Sequence, residues 1–157
     1  TRYLAEADIR QPLPIWLAEL AHYEWAELAV DVMDCAPLAH DPAGDLLAGP
    51  VALNPALLNL AYAWPVHRIG PDYRPRKPQP THLVIYRDAD DDVQFSAINA
   101  VTARLLALLA AAPTTGEVAI RQIANELQHP APDQLLAHGA ALLDDLRRQD
   151  IVLGRLI

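Results

Sequence analysis

Three consecutive stretches decide the fold: Thr81-His82-Leu83-Val84-Ile85-Tyr86, Asp88-Ala89-Asp90-Asp91-Asp92 and Val93-Gln94-Phe95-Ser96-Ala97-Ile98. The first is a β-branched and aromatic run, which reads as a strand. The second is a polar turn. The third alternates and closes a hairpin. Downstream, Asn99 is placed to cap a helix from Ala100 to Ala112. Thr114-Thr115-Gly116-Glu117 reads as a capping box for a second helix, ending near Gln128. Pro130 and Pro132 break the chain before a third helix from about Asp133 to Gln149. Leu135, Leu136, Leu142, Leu143 and Leu146 share its apolar face. Ile151 to Leu153 reads as an edge strand. Residues 81–157 are thus expected to form a winged-helix-like unit, a small antiparallel sheet plus three helices with the strands first. The class is α+β.

Working outward, residues 37–80 read as a Pro-rich connector. Pro37, Pro42, Gly44, Gly49 and Pro50 mark a loop. Asn54-Pro55 looks like a cap and first-turn proline, predicting a short helix from Ala56 to about Ala63 that Trp64-Pro65 ends. A short strand over Pro65 to Ile69 follows. Pro71, Pro75, Pro78 and Pro80 stiffen the connector up to the hairpin. Residues 1–36 read as the end of a helical domain. Their helix runs from about Pro14 to Cys35, with Leu17, Leu20, Ala21, Trp25, Leu28, Ala29 and Val32 at helical spacing.

With 157 residues, 52% apolar and 20% charged, the chain is long and apolar enough to bury a core. Its net charge of −8 opposes general nucleic-acid binding, which needs Lys and Arg against phosphate. The charge is uneven: between Val66 and Arg87 the basic residues Arg68, Arg74, Arg76, Lys77 and Arg87 face only Asp72. The lone cysteine, Cys35, fits a reducing compartment, and a cytoplasmic location is expected. No apolar run approaches the ~20 residues of a membrane span. Starting at Thr1 without a methionine, the chain reads as a fragment of something longer.

Few residues carry reaction chemistry. Glu19…His22 and Glu126…His129 have the Glu-x-x-His spacing of carboxylate-bridged metal sites, but no clear four-helix bundle accompanies them. They read better as solvated residues or partner contacts. Ser96, the only serine, is not in a nucleophile elbow. Nothing resembles a phosphate-binding loop. The expectation is a non-catalytic protein with no cofactor and no metal. Tyr62, Trp64, His67, Arg68, Tyr73, Arg74, Arg76, Lys77, Tyr86 and Arg87 make a basic, aromatic stretch. It reads either as a recognition surface for an acidic peptide or phosphate backbone, or as aromatics filling a seam under the connector. The last helix has Asp133, Asp144 and Asp145, the wrong charge for a DNA-recognition helix. An edge strand beside an apolar helix instead suits capture of an extended peptide.

Two sets of residues resemble a known family. Glu19-Leu20-Ala21-His22-Tyr23-Glu24-Trp25 resembles the end of a helical domain catalogued as DNA-binding. Trp64-Pro65-Val66-His67-Arg68-Ile69 and Thr81-His82-Leu83-Val84-Ile85-Tyr86-Arg87-Asp88 resemble the C-terminal domain attached to it. Together they are similar to accessory subunits of ribosomal-peptide maturation systems of the methanobactin type, although most of the N-terminal domain has no counterpart here. The resemblance implies a TIM-barrel oxidase with a multinuclear iron site as partner, and a precursor peptide whose leader adds a strand to the sheet. It also implies, as the alternative, a DNA-binding protein in transcriptional regulation, acting through the N-terminal domain. The expected partner- and peptide-binding residues are His22, Tyr23, Trp25, Trp64, His67, Arg68, His82, Val84, Tyr86 and Arg87.

Overall fold

The computed structural model describes residues 12–157; the first eleven residues of the expected N-terminal helical segment lie outside the described part. The architecture is α+β. Helix α1 spans Leu17–Asp31. Strands β1 (His40–Asp41), β2 (Val51–Leu53) and β3 (Leu57–Tyr62) follow, then a single 3-10 turn at Val66–Arg68. The hairpin β4 (Thr81–Arg87) and β5 (Val93–Ile98) leads into α2 (Ala100–Ala111), α3 (Gly116–Glu126) and α4 (Pro132–Arg148). Strand β6 (Val152–Leu156) ends the chain. The strands form two antiparallel three-stranded sheets, ordered β1-β6-β2 and β3-β4-β5.

The helix expected over Ala56 to Ala63 is a strand. Alanine and leucine are good helix formers, but propensity is a weak determinant and strand pairing overrides it. Leu57 stands opposite Tyr86 and Tyr62 opposite Thr81, so β3 completes the sheet that the hairpin begins. Alternate residues Leu58, Leu60 and Tyr62 pack towards α1, while the Asn59 amide on the other face donates to the Ala103 carbonyl of α2 at 2.9 Å. Asn54 does not cap a helix. Its buried amide donates to the carbonyls of Arg87 (2.7 Å) and Asp150 (2.9 Å), and its Oδ1 accepts from the Ala56 N–H at 2.9 Å. This side chain joins the two sheets.

Three further expectations change. Pro65 to Ile69 holds the 3-10 turn and not a strand. The loop over residues 36–53 contains β1 and β2. The closing strand is longer than expected and is the middle strand of its sheet, not an edge: β1 and β2 both pair with β6. Gly154 of β6 has φ 156°, and a Cβ there would collide with the Asp41 backbone, so only glycine fits this central position.

The helices after the hairpin begin as expected. The Asn99 side chain accepts from the Thr102 N–H at 2.8 Å, and the Thr115 hydroxyl accepts from Val118 N–H at 3.2 Å. Thr115 is therefore the cap of α3. Glu117 is committed instead to an ion pair with Arg121 at 2.8 Å.

The sheet β3-β4-β5 is a partition. On one face, Val84 and Tyr86 join Leu105, Leu106, Ile120, Ile123, Leu143 and Leu146 in the main core. On the other, Ile85 packs with Ala26 and Val30 of α1, and Leu83 with Tyr62 and Val66. Helix α1 does not bury the stripe its periodicity marks. It buries Ala26 and Val30, while Trp25 (59%), Leu28 (59%) and Val32 (68%) stay exposed.

Candidate functional site

Helix α1 is fastened to the sheet at both ends. Near its start, the Glu19 carboxylate accepts from the N–H groups of Ala63 (3.1 Å) and Trp64 (3.0 Å). His22 Nδ1 lies 2.9 Å from the Tyr62 hydroxyl. Burial, aided by the Glu19 charge, pushes the Tyr62 phenol up to about 12. At its end, the Arg87 guanidinium donates to the carbonyls of Val30 (3.4 Å), Asp31 (2.8 Å) and Met33 (2.9 Å). A cation on the terminal carbonyls complements the helix dipole and ends the helix ahead of Pro37.

These contacts sort the residues expected to bind a partner. Val84 and Tyr86 are core residues, and Arg87 is a helix anchor. His82 is half-buried on β4, whose two edges are both occupied, so no strand can add there. Trp64 is half-buried against Val66 and Leu83. His67 and Arg68 are exposed, and Arg68 stacks on the Tyr73 ring at 4.8 Å. Burial and the neighbouring Arg68 lower the His67 imidazole below its ordinary value. His22, Tyr23 and Trp25 lie together on α1. The basic loop of Arg74, Arg76 and Lys77 lines an open concavity of about 840 Å³ with its own prolines and Tyr73, and none of the other expected residues reaches it.

The Glu-x-x-His pairs do not converge. Glu19 and His22 hold α1, Glu126 pairs with Arg104 at 2.7 Å, and His129 Nδ1 accepts from the Ala131 N–H at 3.1 Å. Among the described residues no group of three or more His, Cys, Asp or Glu could hold a metal ion.

The feature that sequence reasoning missed is the outer edge of β5. Asp88 N–H donates to the Asp92 carbonyl at 2.9 Å, so hydrogen-bonded pairs alternate from there: Tyr86 with Gln94, Val84 with Ser96, His82 with Ile98. The N–H and C=O groups of Val93, Phe95 and Ala97 therefore point away from β4. No described strand pairs with them. β5 carries no charged residue, no proline and no register shift, the usual devices that blunt an edge. Phe95 is 41% exposed and meets Tyr23 of α1 with ring centroids 5.7 Å apart. A cleft of about 310 Å³ lies between α1 and the start of β5, lined by Glu24, Glu27, Leu28, Asp31 and Val93. On the helical side, Val101, Leu105, Ile120, Ile123, Leu135, His138, Gly139 and Leu142 enclose an apolar cavity of about 110 Å³.

Among the described residues, an antiparallel meander with three helices behind it and no strand on the outer edge of β5 defines a strand-first α+β module. A model of the HvfC C-terminal domain matches residues 54–147, and the chain belongs to that family. No curated protein matches the chain. The match starts at Asn54, the residue that ties the two sheets, and spans β3 through nearly all of α4.

Proposed function

We propose that this protein is a non-catalytic accessory subunit of a peptide-maturation system, and that it captures an extended segment of the precursor's leader as an additional strand on β5. The single observation that carries this reading is the unblunted outer edge of β5, flanked by an exposed phenylalanine. Strand addition takes its affinity from main-chain hydrogen bonds and its specificity from pockets for alternate side chains. In this reading the free groups of Val93, Phe95 and Ala97 supply the first and the cleft between α1 and Val93 the second. Membership of the HvfC C-terminal domain family supports an accessory role, and the resemblance to methanobactin-type systems supplies the partner, an iron-dependent TIM-barrel oxidase.

DNA binding has less support. The arginines that end α4 are already engaged, Arg147 with Asp144 and Arg148 with Asp145, so the helix presents no free cationic face to phosphate.

The test is calorimetric titration of the chain with the precursor leader encoded beside its gene, with and without Ala97→Pro. The substitution removes one outward N–H from β5 and leaves the ladder to β4 intact. Micromolar or tighter binding that Ala97→Pro abolishes is the expected result. Binding unaffected by the substitution places the peptide elsewhere.

A further inference from the structure

Capture on β5 also fixes which side chains of the captured strand meet α1. Residues directly opposite one another in neighbouring strands project to the same face. Phe95 projects towards Tyr23 of α1, and Val93 packs with Ala26 and Val30. A strand added outside β5 therefore sends the residues opposite Val93 and Phe95, and every second residue beyond, into the cleft under α1.

That cleft has an apolar floor and a wall of one charge. Glu24 is three and four residues from Glu27 and Leu28, and Asp31 is four and three residues from the same two, so all four share one face of α1 and line the cleft with Val93. From Leu17 to Asp34 the chain contains no Lys or Arg. Glu24 and Glu27 line the cleft together with Val93 of β5, and after burial their charges raise the nearby Tyr23 phenol further. No ion pair joins any of the three carboxylates to another described residue.

We propose that the cleft between α1 and the free edge of β5 selects strands with lysine or arginine at alternate positions, their aliphatic stems lying on Leu28, Val93 and Phe95 and their charges at Glu24, Glu27 and Asp31. Long basic side chains suit this division, since the stem covers apolar surface while the head stays at the acidic rim. A second copy of this chain is disfavoured as occupant, because β5 itself has no basic residue to offer. This inference rests on the strand-capture reading and adds the chemistry of the captured segment.

The test selects random peptides of about ten residues, the upper length of ordinary strands, on four forms of the chain: unsubstituted, A97P, the cleft variant E24Q/E27Q/D31N, and E117Q/D133N/D145N, which removes as many charges from α3 and α4. Expected are peptides with Lys or Arg enriched at every second position on the unsubstituted chain and on the α3–α4 variant. That enrichment is expected to disappear on the cleft variant, and binding itself on A97P. Replacing the basic residues of a selected peptide by Gln should weaken it about tenfold, as three partly exposed charge contacts would. Selected peptides that need the β5 edge but show no alternate basic residues overturn this inference and leave strand capture standing. So does basic enrichment that survives on the cleft variant, or that is lost equally on the α3–α4 variant. Peptides that bind A97P as well as the unsubstituted chain, or no selection at all, overturn both.

Discussion

β4 and β5 are the two arms of one hairpin and have opposite characters. Thr81, Leu83, Val84, Ile85 and Tyr86 of β4 are buried, whereas no residue of β5 is. β4 has a partner on each side and a packed layer on each face. β5 has a partner on one side only, and its faces are half covered. The inner arm therefore places its side chains in the packed layers, and the outer arm leaves the backbone groups of Val93, Phe95 and Ala97 without a described strand partner. The clearest illustration is the cross-strand pair Ile85 and Phe95, in register with each other but 0% and 41% exposed.

That difference sets the order of the expected effects. Ile85→Ala removes a fully buried side chain between the sheet and α1, and should cost about 2–5 kcal/mol in urea unfolding. A loss under about 1 kcal/mol would mean that α1 is not packed on β4 as described. Arg87→Ala leaves three helix-end carbonyls without their donor and should cost about 1–3 kcal/mol, with loss of helical ellipticity. Retained stability would return Arg87 to the pool of binding residues.

Tyr62→Phe removes the partner of His22 and should cost about 1 kcal/mol. It also has a pH signature. The Tyr62 phenol ionises near 10 when unfolded and only at about 12 when folded. Between those values the unfolded chain holds fewer protons, so stability is intact below pH 10 and falls as pH rises through 12. Tyr62→Phe should flatten that part of the decline in alkaline unfolding curves; an unchanged profile would show that another group governs it. Phe95→Ala has the smallest structural effect, about 1 kcal/mol or less, because the ring is already partly in water. It should nevertheless weaken peptide capture. A stability cost as large as that of Ile85→Ala would erase the distinction between the two arms.

Much of the fold was legible in the sequence. The hairpin, its polar turn, Asn99 as a cap and the three following helices stand where the β-branched run, the alternation and the prolines put them. The edge was not legible, and one segment explains why. Ala56-Leu57-Leu58-Asn59-Leu60-Ala61-Tyr62 has the composition of a helix, yet Leu58, Leu60 and Tyr62 also carry period two. Read as a helix, it leaves a two-stranded hairpin in which β4 has an open edge, and so His82, Val84, Tyr86 and Arg87 look like contact residues. Read as β3, it seals that edge and leaves only the hairpin's other one, on β5, without a described partner. Only pairing with β4, a contact distant in sequence, decides between them. The same holds for α1, whose strongest apolar stripe faces outward because Arg87 and Glu19 fix the helix by other residues.

The most direct test of the central claim is amide hydrogen exchange along β5, with and without the precursor leader. In the free protein the Gln94 and Ser96 N–H groups are paired with β4 and exchange slowly, while those of Val93, Phe95 and Ala97 face outward and exchange fast. Capture of a strand predicts selective slowing at Val93, Phe95 and Ala97, an alternation that general stabilisation does not produce. Bound leader with these three amides still exchanging fast would contradict strand capture on β5.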